Sequence, residues 1–217
     1  MPASTEDALS APRIEPLLLA FCGILGLIGS VAPTGALIWA SLVAEHDFLA
    51  DTVSDLGRGP HRWIMDSGFF INAASLLALS IGAAHIHAGT KRWTASILCF
   101  ALLALVIVAI GLWDAFGRTA ETDGMSVHTR LTFLLGPLYL IGPILMWYSF
   151  RDTAPSMARL FLVSAVLWAV FATAFKLAPD WIDGGLEKLA IAATLLWTVP
   201  FSNWMTRRAL QARSEVN

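Results

Sequence analysis

Charge is scarce in this chain. Asp, Glu, Lys and Arg supply 14% of its 217 residues, where an average soluble domain carries roughly 25%. That shortage excludes an ordinary water-facing surface. With 57% hydrophobic residues and a mean hydropathy of +0.67, it points to lipid as the solvent. Positive charge is scarcer still: the net charge is −2 and no basic stripe exists to neutralise phosphates, so nucleic acid is excluded as a partner. There are only two cysteines, Cys22 and Cys99, both within apolar runs and without CxxC spacing, which excludes a disulfide scaffold and a thiolate zinc site. No GxSxG elbow, phosphate-binding loop or dinucleotide fingerprint occurs, so the motif-based cases for a serine hydrolase, an NTPase and a Rossmann enzyme fall away.

What the chain has instead is six continuous apolar runs. A hydrocarbon core of about 30 Å needs roughly 20 residues per helix, and the runs are unbroken rather than alternating, which favours helices over a barrel. The expectation is an all-α, six-helix transmembrane bundle. Its spans are Leu17–Val43, Trp63–Ala84, Trp93–Trp113, Val127–Phe150, Met157–Leu177 and Gly185–Met205. Residues 1–15 read as a polar tail, 16–208 as one membrane domain and 209–217 as a second polar tail. Acidic residues rather than a basic region precede the first run, so it reads as a retained helix and not a signal peptide. Gly29, Pro33 and Gly35 predict a kink in span one, and Gly23, Gly26 and Gly29, spaced three apart, allow close helix contact. No internal repeat is visible.

The side bearing both termini carries eight Lys and Arg residues against six on the other, which predicts that both termini are cytoplasmic. Acidic residues divide five against eleven, so the polar groups gather at the outer end. Trp63, Trp93, Trp113, Trp147, Trp181 and Trp204 fit interfacial belts. Trp168 and Trp197 lie deeper, placed either for packing or for lining a cavity.

Four carboxylates lie near span ends on the acidic face: Asp55, Asp66, Asp114 and Glu187, and His128 opens span four beside them. Two readings stand for most of these. Asp55 and Ser54 suit either the start of a helix or a binding role. Glu187 suits the first turn of a helix, where an anion is favoured, or a site. Asp114 closes a helix, where the dipole disfavours negative charge, so it calls for a cation or a proton; His128, Arg118 and Arg130 are at hand. Carboxylates with one histidine suit zinc or a harder ion, but no HxxxH or HExxH face is present, and neither a metal nor a cofactor is expected. His85 and His87, two apart, cannot share a helix face.

The string Asp51-Thr-Val-Ser54-Asp55-Leu56-Gly57, followed by a span with Asn72, resembles the first signature of the membrane family called domain of unknown function 998. The later signatures occur in order: Trp113-Asp114 ending span three, His128 opening span four, and Gly185-Leu186-Glu187-Lys188 opening span six with Trp197 after it. Members commonly carry Pro where this chain has Trp113 and Arg where it has Lys188. The Ser-Asp-Leu-Gly string is also similar to the Frag1/DRAM/Sfk1 membrane proteins. Together these residues support two expectations. One is an enzyme acting on a membrane lipid or isoprenoid, with Asp55, Asp114, His128 and Glu187 as acid, base or ligand groups and Ser54, Asp66, Asn72, Arg130, Trp168 and Trp197 contacting substrate. The other is a transporter, sensor or accessory subunit with a membrane-protein partner.

Overall fold

The computed structural model describes residues 14–116 and 127–216, and within them it is all helical, without strands. Helix α1 spans Pro16–Val43, the short α2 Val53–Leu56, α3 Arg62–Ile86, α4 Lys91–Phe116, α5 Val127–Phe150, α6 Pro155–Leu177 and α7 Asp183–Val216. Five of the six long helices are long and apolar enough to cross a membrane: α1, α3, α4 over Lys91–Leu112, α5 over His128–Phe150, and α6. The sixth, α7, is longer but carries a polar stripe. It also outruns its expected end, because the Ala209-Leu-Gln-Ala-Arg213 stretch consists of strong helix formers and Ala209 is buried in the core.

The long helices form a closed ring. Each packs chiefly against two neighbours, in the order α1, α3, α4, α5, α6, α7 and back to α1. Small residues set the α1 joints. A Cβ at Gly29 would lie 2.3 Å from Ser75 Cβ on α3, and one at Gly23 would lie 2.8 Å from the Ser202 carbonyl on α7. Helix α7 carries Thr194, Thr198, Ser202 and Thr206 at helical spacing, with Ser202 and Thr206 against the α1 glycines; the last three of the four return their hydroxyls to the carbonyl four residues back. Hydroxyls satisfied this way can lie against glycines without leaving a polar group stranded.

Pro33 sits inside α1, yet the helix is continuous through it. Proline has no N–H, so the carbonyl four residues earlier, that of Gly29, loses its helical donor. Asn72 on α3 replaces it, with Nδ2 donating to Gly29 O at 2.9 Å. This substitution works only because glycine at position 29 lets the two backbones approach so closely.

The ring is solid at one end. Phe100, Phe150, Phe161, Trp197, Phe201 and Trp204 stack together from α4, α5, α6 and α7; Trp197 lies 4.4 Å from Phe100 between ring centres and is fully buried. Trp93, expected in a belt, is instead buried, with its indole donating to the Ala83 carbonyl at 2.8 Å. At the other end, where α1, α4 and α6 finish and α3, α5 and α7 begin, the ring is hollow.

Candidate functional site

The hollow end holds a cavity of about 610 Å³ walled by all six long helices. Ser30 and Pro33 of α1, Phe69 and Asn72 of α3, Ile107 and Ile110 of α4, Tyr139 of α5, Trp168 and Lys176 of α6 and Glu187 of α7 all face it. Tyr139 and Trp168 lie ring to ring at 4.4 Å in its floor. The Trp168 Nε1 is buried and has no acceptor among the described residues. At the polar end, the Lys176 ammonium lies 4.2 Å from the Phe175 ring centre and 5.5 Å from that of Phe133.

The connection from α1 to α3 lies at this same end, held by local chemistry that the sequence dictates. Asp47 Oδ1 accepts from Leu49 N at 2.8 Å and Ala50 N at 3.1 Å, forming an Asx-type turn. Thr52 then caps α2. Its N–H and hydroxyl both donate to Asp55 Oδ2, at 2.9 and 2.7 Å, while Asp55 N donates back to Thr52 Oγ1 at 3.3 Å, a reciprocal capping box. Val53 and Leu56 are buried against Ala36, Leu37, Ala40, Ile64 and Met65.

The start of α7 grips this connection from the other side. Gly185 N donates to Leu49 O at 2.8 Å, Lys188 Nζ donates to Asp51 O at 2.6 Å and to Gly184 O at 3.2 Å, and Glu187 Oε2 accepts from Val53 N at 2.5 Å. Lys188 is only 6% exposed and lies over Phe48 at 4.9 Å. At Gly184 a Cβ would lie 2.0 Å from the Asp51 carbonyl oxygen, so glycine is required there. His128, opening α5, completes the joint with Nε2 at 3.2 Å from Ser54 Oγ.

Glu187 and His128 therefore meet consecutive residues of one short helix, Val53 and Ser54. Asp55 faces elsewhere: it belongs to the capping box, lies 3.8 Å from Arg58 Nη1, and lines a separate recess of about 520 Å³ with Glu45, His46, Asp51 and His61. Asp114 falls in the last turn of α4, and its side chain lies outside the described residues. Asp66 is half-buried and Arg130 exposed, and neither lines the cavity. Asn72 and Trp168 do line it, whereas Trp197 is in the aromatic stack. Among the described residues no three His, Cys, Asp or Glu side chains are grouped to hold a metal ion.

Lys176, Tyr139 and the Asp47 turn were not singled out by sequence reasoning. Lys176 could have been found as the single cation in the last turn of an otherwise apolar span. The Thr52-x-x-Asp55 spacing of a capping box was legible, and it accounts for the place of Asp55 at the start of α2. In the connection, the Ala50 and Leu49 N–H groups hold the Asp47 carboxyl below its usual range. Burial, followed by the nearby Lys188 charge, holds the His46 imidazole below its ordinary value.

The fold and its apolar helices define an all-helical, multi-pass membrane protein. The profile of the family described as "Protein of unknown function (DUF998)" matches residues 13–202, so the chain belongs to the DUF998 family. No curated protein and no solved structure matches it.

Proposed function

We propose that all six long helices cross a bacterial inner membrane with both termini cytoplasmic, and that the cavity at the outer end takes the chain of a lipid or isoprenoid. The observation that carries this reading is the cavity itself: about 610 Å³, walled by every long helix, apolar in its floor and polar at one end with Glu187 and Lys176. That volume falls within the roughly 300–1,000 Å³ typical of small-molecule sites. Its test is native mass spectrometry of the protein purified from membranes. A retained lipid or isoprenoid in the wild type, lost in Ala190→Trp with the fold intact, supports the reading; a wild type that carries none refutes it. Cysteine labelling at Thr119 tests the orientation, with labelling from the outside expected.

A second reading, an enzyme acting on that lipid, is favoured by the Ser54 Oγ to His128 Nε2 distance of 3.2 Å, over which an imidazole can take a hydroxyl proton. Ser54→Ala in a deletion strain would then alter the membrane lipid profile while leaving protein abundance unchanged. An unaltered profile favours binding without chemistry.

A further inference from the structure

We propose that the lipid reaches this cavity sideways from the bilayer, through a gap between α5 and α6, and that its anionic headgroup seats on Lys176. The inference rests on the cavity-binding reading above and adds the route and the charge of the ligand.

The exposure of the cavity wall carries the route. Every exposed residue that lines the cavity lies on α5 or α6: Phe133 and Pro137 on one, Thr173, Lys176 and Leu177 on the other. The lining residues from α1, α3, α4 and α7 are buried or half-buried. A closed ring open at one joint has a side door, and both helices at this joint are apolar enough to span, so the door faces hydrocarbon.

Side-chain hydrogen bonds agree. Asn72 to Gly29 O pins α1 to α3, Ser80 to Ile97 O pins α3 to α4, Ser96 to Gly142 O pins α4 to α5, and Ser164 to Ala193 O pins α6 to α7. Among the described residues none crosses between α5 and α6 or between α7 and α1, but the latter joint is closed by Gly23 and Gly26 lying against Thr206 and Ser202. The sequence explains why a gap remains: Gly136 has nothing within 4 Å of where its Cβ would lie, and Ala169, Ala172 and Thr173 opposite are too small to fill the space.

The charge comes from Lys176. It stands in the last turn of α6, on the rim of the gap, held over two aromatic rings, with no carboxylate within 4 Å among the described residues and the Glu187 carboxyl farther off in the same cavity. An ammonium there, above an apolar slot, suits a phosphate or carboxylate on an acyl or isoprenyl chain.

The test uses the full-length protein in nanodiscs containing phosphatidylglycerol or phosphatidylcholine with a photoactivatable tail, and follows crosslinking to the peptides bearing Tyr139 and Trp168. Wild type should label with both lipids, faster with phosphatidylglycerol. Gly136→Trp, and independently Thr173→Trp on the facing helix, should slow labelling about tenfold while reaching the same final level. Lys176→Gln should slow phosphatidylglycerol several-fold and phosphatidylcholine distinctly less, since both carry a phosphate but the choline cation of the second offsets it. Unchanged rates in both tryptophan variants overturn the side door while leaving cavity binding standing. Outright loss of labelling in both means the indole fills the cavity rather than an entrance, and overturns it too. Equal effects of Lys176→Gln on the two lipids overturn the headgroup assignment. Wild type unlabelled by either lipid refutes the cavity reading itself.

Discussion

The Asn72 side chain stands in for a backbone N–H that Pro33 lacks, and this makes an energetic prediction with an internal control. Replacing Asn72 by leucine keeps the branched side-chain skeleton but removes the donor, leaving the Gly29 carbonyl buried without a partner. Hydrogen bonds between membrane helices average about 0.6 kcal/mol and reach about 1.7. A buried acceptor left unsatisfied costs about 1–3 kcal/mol. The expected loss for Asn72→Leu is therefore about 1–2 kcal/mol. Pro33→Ala returns the missing N–H to α1, so in that background the Gly29 carbonyl is satisfied within its own helix. Asn72→Leu should then cost less than about 0.5 kcal/mol, a coupling of roughly 1 kcal/mol between two residues on different helices. Unfolding of the purified protein by dodecyl sulfate in mixed micelles, followed by tryptophan fluorescence, measures all four corners of the cycle. The same loss in both backgrounds would sink the argument, since Asn72 would then act by something other than replacing the proline donor.

Other consequences are as direct. Gly184→Ala drives a Cβ into the Asp51 carbonyl, so α7 must shift from the connection; protease sensitivity of residues 45–58 should rise while the bundle stays folded. Truncating Trp197 to alanine in the aromatic stack should cost about 3–5 kcal/mol, read from the same dodecyl sulfate titration. The connection should also loosen in acid, in two stages. The native imidazole of His46 binds its proton less readily than the unfolded one, so its contribution is complete above the ordinary histidine value of about 6.5 and is lost as pH falls toward the depressed native value. Asp47, depressed by its turn, contributes above about pH 4 and is lost as pH falls through its lower native value. Hydrogen exchange of Leu49 and Ala50 against pH measures both stages, and His46→Gln should remove only the first.

Much of this architecture could be read from the chain because lipid leaves few options. Continuous apolar runs of span length become helices; all six do, five of them long and apolar enough to cross a membrane, with Gly23, Gly26 and Gly29 making the close contacts their spacing allows. The clustering of motifs at one end was equally legible. What the sequence hid was which partner each polar group takes. Glu187 and Val53 are 134 residues apart, and nothing local to either announces the pairing. Asn72 was noticed as a polar residue in a span, but its role depends on a proline in another helix. Trp197 and Trp168 look alike in sequence; only ring order places one in the solid half and the other in the cavity wall.

The grip of α7 on the α1–α3 connection also fixes an order of assembly. Leu49, Asp51 and Val53 are synthesised early, yet the groups that hold them, on Gly185, Lys188 and Glu187, emerge only with the last helix. Until α7 docks, the backbone groups it will satisfy remain open to water or to a chaperone, and the ring has no seal between its first and final members. A ribosome stalled before residue 183 should thus display a nascent bundle whose rim is labile and whose chamber is unformed. Quality-control proteases could tell finished from unfinished copies by that rim alone.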